Sequence, residues 1–209
     1  MIRTNQEFLQ LIKQLPDMQM LTVPPGKQLF KQDERAHHVY FISRGIAKCY
    51  ITEDNGKDYI LEFFGEGEII GELELLRDAP ILSNVDALTE LTLYKADKYT
   101  FWQLIDTNKD FNRVMLKELA TRVSQLAIRV SYQQLYPVEY SVLKLLSLFS
   151  HEELPLSKQD LADYMAITVR SLNRSLKQLK ERQFTPPEEL ELSISSQEIE
   201  KLLRRFEEA

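Results

Sequence analysis

Cysteine, histidine and late glycine are what this chain has least of, and each scarcity removes a class of function. The 209 residues hold one cysteine, Cys49, so no intramolecular disulfide, four-cysteine iron–sulfur cluster or cysteine zinc site can form. The histidines are His37, His38 and His151, two adjacent and one distant in sequence. A cupin-like metalloenzyme needs two or three histidines gathered on neighbouring strands, and this set does not supply them. No nucleophile elbow and no phosphate-binding P-loop occurs either, so no enzymatic activity, metal or cofactor is expected. No apolar run approaches the roughly 20 residues that span a bilayer. The first twenty residues, MIRTNQEFLQLIKQLPDMQM, are amphipathic and lack the continuous apolar core of a signal peptide. The expectation is a cytoplasmic protein without a membrane partner.

Glycine is scarce in a telling way. All six glycines fall between Gly26 and Gly71. That shift predicts a turn-rich β region followed by a helical one. Apolar or alternating stretches predict strands at Met20–Val23, Val39–Ile42, Ala47–Ile51, Tyr59–Phe64, Val85–Ala87 and Leu91–Ala96. Pro24-Pro25-Gly26 and Asp54-Asn55-Gly56 supply turns between them, the second a hairpin signal. Many short strands with such turns predict a sandwich or jelly roll. His37-His38 read as solvated loop residues, and Cys49 as core filler in its strand.

What the second half contains is helix. About Asp110 to Leu135, the residues Leu116, Leu119, Val123, Leu126 and Val130 recur at spacings of three and four, an a/d seam. Small residues beside it (Ala120, Ser124, Ala127) favour pairing with a second helix over packing on the chain's own barrel. Tyr136-Pro137 ends this helix, because proline disfavours helix at the preceding residue. A further helix, Val138 to Phe149, is apolar at Val142, Leu145, Leu146 and Phe149.

Ser157 to Gln183 reads as two short helices joined by a tight turn. Ser157 and Asp160 nearly match a capping box, and Leu161, Ala162 and Met165 face inward. The turn is Ala166-Ile167-Thr168, with alanine where such turns often contain glycine. Thr168 can cap the second helix, which buries Leu172, Leu176 and Leu179. The opposite face carries Arg170, Ser171, Asn173, Arg174, Lys177, Lys180 and Arg182. This is the outline of a helix-turn-helix whose second helix can enter a DNA major groove. The net charge of −6 is no obstacle, because it is uneven. Residues 1–110 hold 12 Lys/Arg against 18 Asp/Glu, whereas 168–183 hold five basic residues and one acid, Glu181. A local basic stripe governs DNA binding more than the whole-chain balance. Phe184-Thr185-Pro186-Pro187, with Leu190, Leu192 and Ile194 alternating, predicts a small β-hairpin wing. Ser195 and Glu198 then cap a last helix ending near Arg205.

This order of elements resembles the Crp/Fnr family of bacterial transcription regulators over nearly the whole chain. The resemblance is carried by Pro25-Gly26, by Tyr40-Phe41-Ile42-Ser43-Arg44-Gly45-Ile46-Ala47, and by Phe64-Gly65-Glu66-Gly67 leading to Gly71-Glu72-Leu73. Leu161-Ala162-Asp163-Tyr164 and Arg170-Ser171-Leu172-Asn173-Arg174 carry it at the other end. It implies an α+β fold: a jelly-roll sensor (1–109), a long dimerisation helix and hinge (110–136), and a winged helix-turn-helix (137–209). It also implies a homodimer bound to an inverted-repeat site on double-stranded DNA, with Thr168, Val169, Arg170, Ser171, Asn173, Arg174 and Lys177 at the interface. RNA polymerase is a further candidate partner.

The departures from the family matter as much. Cyclic-nucleotide-binding members follow Gly-Glu-Leu, about ten residues on, with an Arg-Ser or Arg-Thr pair. The Arg clamps the phosphate, and the Glu binds the ribose hydroxyl. Here Gly71, Glu72 and Leu73 are followed by Leu82 and Ser83, and a leucine cannot donate to a phosphate. Base-contacting polar positions read as Leu126 and Ala127. An unpaired phosphate would cost several kcal/mol to bury. Cyclic AMP is therefore not the expected effector, and the effector stays unknown. The competing readings are a sensor that acts through protein contacts and, more remotely, the cupin-like enzyme.

Overall fold

Alternating side chains build the first half of the chain into strands. The structure is a computed structural model that describes residues 4–15, 18–149, 156–181 and 196–208. The strands are β1 (Gln19–Val23), β2 (Gln28–Phe30), β3 (His38–Arg44), β4 (Ala47–Thr52), β5 (Asp58–Phe64), β6 (Ile69–Ile70), β7 (Asn84–Ala87) and β8 (Leu91–Asp97). They form two antiparallel sheets, β1-β8-β3-β6 and β2-β7-β4-β5, a jelly roll. Each strand predicted from pattern lies inside an observed one. The short β2 and β6 carry too few residues to show a period. His38 begins β3 rather than lying in a loop.

Asn55 and Gly56 close the β4–β5 connection. Gly56 has φ +74°, and Glu53 N–H donates to the Lys57 carbonyl at 2.9 Å. One core is drawn from both sheets: Val23, Phe30, Ile42, Ala47, Phe64, Val85 and Leu93. The other faces of β3 and β8 are covered by three helices that the sequence pattern leaves unassigned or unplaced. Of these, α1 (Gln6–Ile12) contributes Phe8, which meets Phe41 and Phe111 at 5.6 Å, and α3 (Lys98–Thr107) contributes Phe101, which meets Phe111 edge to face at 6.3 Å. Each buried phenylalanine contributes about 1.5–3 kcal/mol through the water it leaves. The third, α2 (Glu72–Arg77), follows β6.

The long helix α4 runs Lys109–Leu135, and α5 runs Val138–Phe149, so the break falls at Tyr136-Pro137. Then come α6 (Lys158–Tyr164), α7 (Val169–Glu181) and α8 (Ser196–Glu207). The chain divides into two compact units, Ile2–Arg122 and Val123–Ala209. In the second, α5 buries Tyr140, Val142, Leu143, Leu145 and Leu146, and packs against α7 and α8. The predicted wing, His151 and Ser195 lie outside the described residues, as do Arg182 and the side chains of Phe149 and Lys180.

Candidate nucleic-acid interface

The helix-turn-helix is built by two caps. Asp160 N–H donates to Ser157 Oγ at 3.0 Å, and Ser157 N–H donates back to Asp160 Oδ2 at 2.9 Å, a complete capping box. At the other end of α6, Ala166 N–H donates to the Asp163 carbonyl at 3.3 Å and Ile167 N–H to the Ala162 carbonyl at 3.0 Å. This is the Schellman pairing, and it needs a left-handed residue at its centre. Ala166 fills that place with φ +55°. Such a backbone costs an L-residue roughly 1–2 kcal/mol, so the missing glycine is a local strain and not a different turn.

Thr168 then starts α7, accepting the Ser171 N–H at 3.1 Å. Leu172 and Leu179 are buried, Leu176 only partly. Ser175 is buried too; its small side chain permits close packing, a signal that hydropathy alone hides. Arg170, Asn173, Arg174 and Lys177 are exposed at spacings of three, four and seven, hence on one face. Thr168 is exposed, and Val169 is half-buried. Ser171 is half-buried and its hydroxyl accepts from Thr168 at 3.1 Å. Lys177 lies 3.8 Å from Glu181, an exposed pair worth little.

On α4 the seam is uncovered. Leu116, Val123, Leu126 and Val130 are between 44% and 67% exposed, and Leu119 is half-buried. The face that is buried holds two arginines the sequence pattern does not flag, Arg122 and Arg129. Arg129 lies 3.6 Å above the Tyr164 ring and donates from Nη2 to the Tyr164 carbonyl, which also accepts from Gln133 Nε2 at 3.2 Å.

The sensor positions have a different character. Gly71 has φ +93°, and a Cβ there would stand 2.7 Å from the Phe30 ring and 2.9 Å from the His38 carbonyl. It opens α2, whose first residue, Glu72, is buried and 2.5 Å from Arg122 Nη1. Arg122 also donates to the Ile69 carbonyl at 2.7 Å, approaches Glu118 at 3.4 Å and lies 4.7 Å over the Phe64 ring. Burial, joined by Glu74 and Glu118, raises the Glu72 carboxyl against the pull of Arg122. Burial alone would lower the Arg122 guanidinium, but Glu72, Glu68, Glu62 and Glu118 outweigh it and raise it. Leu73 and Leu82 are exposed, and Leu82 N–H donates to Glu74 Oε1 at 3.1 Å. Ser83 is buried, with Oγ 3.0 Å from Cys49 Sγ. Burial pushes the Cys49 thiol up to about 12, against its hydrogen bond to Ser83. Leu126 and Ala127 are exposed on α4.

A jelly roll, a long helix and a helix-turn-helix define a class of two-part regulator, and the comparisons agree. Residues 20–108 match the cyclic nucleotide-binding domain, and residues 154–183 match the bacterial regulatory proteins of the crp family. The chain is 30% identical over 108 residues to the cAMP-activated global transcriptional regulator CRP of Salmonella typhimurium, 51% of each chain. It is 24% identical over 164 residues to the HTH-type transcriptional regulator Cmr of Mycobacterium tuberculosis, 78% of this chain and 67% of that one. The match thus spans about half the length of the CRP relative. In fold, a CRP/FNR-family transcriptional regulator from Thermus thermophilus superposes with a TM-score of 0.75 at 12% identity, over 89% of this chain and 98% of that one. The c-di-GMP responsive global regulator CLP of Xanthomonas campestris gives 0.70 at 21%, over 85% and 91%. The chain belongs to the Crp/Fnr family of bacterial transcription regulators. No described helix is long and apolar enough to cross a membrane.

Proposed function

We propose that this chain is a homodimeric, sequence-specific DNA-binding transcription regulator that reads a major groove with α7 and does not take cyclic AMP as its effector. The observation that carries it is the exposed face of Arg170, Asn173, Arg174 and Lys177, with no acid on α7 before Glu181. Arginine matches the guanine O6 and N7 acceptors, and asparagine matches adenine N6 and N7. Lys177 lies farther along the helix, where phosphate is the nearer partner. The exposed seam on α4 supports pairing with a second copy, which makes the site an inverted repeat. Among the described residues no group of three or more His, Cys, Asp and Glu is arranged to hold a metal ion.

Selection of bound fragments from a random DNA pool tests the reading. The expected product is an inverted repeat with half-site centres roughly 10–10.5 bp apart or a multiple of that. Arg174→Ala should cost about 1–3 kcal/mol and relax one base pair per half-site. Lys177→Ala should weaken all sequences alike and flatten the salt dependence. An unchanged consensus for Arg174→Ala, with an altered one for Lys177→Ala, would reverse the assignment. The ligand half of the proposal rests on Leu82 and on the internal partner of Glu72. Calorimetry with cyclic AMP should give no micromolar binding; an affinity in that range defeats it.

A further inference from the structure

Tyr164 is the last residue of α6, and its carbonyl is one of the groups that a helix C-terminus leaves without an intrahelical partner. Here it receives two donors from the same stretch of α4, Arg129 Nη2 and Gln133 Nε2, the latter at 3.2 Å. The guanidinium of Arg129 also lies 3.6 Å above the Tyr164 ring. Arg129 is only 4% exposed. A planar, buried guanidinium that both stacks and donates restricts rotation as well as distance. The same turns of α4 expose Val123, Leu126 and Val130. Val130 adjoins Arg129, so the seam and the clamp stand about 100° apart round one rigid helix. The Schellman turn at Ala166 then carries the position of α6 directly to Thr168, the cap of α7.

We infer that Arg129, with Gln133, is a positioning residue that sets the distance and angle between the two DNA-reading helices, and thereby the half-site spacing the regulator accepts. It touches no DNA and acts through Tyr164. The inference rests on the reading of α4 as the helix shared with a second copy and of α7 as the DNA-reading helix. Loosening the clamp leaves each half-site reader intact but frees its orientation. Each inserted base pair moves the second half-site by about 3.4 Å and turns it by about 35°, so spacing is the sensitive coordinate.

The test uses the full chain and the selected inverted repeat, with the spacer unchanged and with one or two base pairs inserted or removed. Wild type should bind the altered spacers at least tenfold more weakly. Arg129→Ala should remain dimeric by sedimentation and lose affinity for the selected spacer. Its preference for that spacer over the altered ones should collapse to within about threefold. Arg129→Lys keeps one donor and should recover part of the preference. Gln133→Met removes the second donor at little cost in volume and should weaken the preference to a smaller extent. It decides the matter if Arg129→Ala does not fold. An equal loss at every spacing, or unchanged discrimination, shows a merely structural role and overturns the inference. Failure of wild type to bind DNA, by contrast, sinks the functional reading itself.

Discussion

Arg122 and Arg129 stand one heptad apart on the same buried face of α4, yet the two regions use them differently. Arg122 belongs to the jelly-roll unit and is held by the carboxylates of Glu72 and Glu118, with the Ile69 carbonyl closing the set. Arg129 belongs to the helical unit and is placed by the ring and carbonyl of Tyr164. The first arrangement balances charge, and its worth is felt when one member is removed. The second fixes geometry, and its worth is felt in orientation. A buried arginine is therefore not one kind of feature; its partners decide whether stability or alignment depends on it.

The largest effect expected from breaking this contrast is on the Arg122 side. Arg122→Ala should lower stability by about 3–5 kcal/mol in denaturant unfolding, because the buried Glu72 carboxylate loses its cationic partner. Pairing Arg122→Met with Glu72→Gln should recover most of the loss. A loss below about 1 kcal/mol for the single change would show that the carboxylates find another partner. Next comes the exposed apolar seam of the same helix. Val123→Glu with Leu126→Lys should turn a dimer into a monomer by sedimentation and reduce DNA affinity at least tenfold, since unpaired charges cannot be desolvated in a seam. A double variant that still sediments as a dimer places the self-association elsewhere.

Smaller effects sharpen the comparison. Ala166→Gly should raise stability by about 0.5–1 kcal/mol, the left-handed strain relieved less the added freedom of the unfolded chain. A thermal melt that falls instead would mean the alanine methyl packs usefully. The smallest concerns Cys49. With its thiol pushed up to about 12, the group stays protonated at pH 8 and is buried. Only the thiolate is nucleophilic, so iodoacetamide should leave it unmodified in the native chain and label it once denaturant is added. Rapid labelling of native protein would show that the thiol is reachable and reactive.

Most of the architecture was legible because it is written in local periods. Alternation marked six strands, Pro137 marked the break between α4 and α5, and Ser157 with Asp160 marked the start of α6. The helices α1, α2 and α3 were not placed, since each runs ten residues or fewer and its burial is decided by the sheet it covers. Ser171 shows the same limit within the candidate interface. Its type suits base reading, but the Thr168 hydroxyl beside it holds its own.

Sequence alone determined the order of the longer elements, the exposed basic face of α7 and the apolar seam of α4, because residues three, four and seven apart on a helix share a face whatever surrounds it. Only the tertiary structure decided which α4 charges are buried. The partners of Arg122 and Arg129, Glu72 and Tyr164, lie 50 and 35 residues away along the chain. No local pattern encodes such a pairing; it exists only once the fold has brought the segments together and excluded the water that would otherwise solvate the charge.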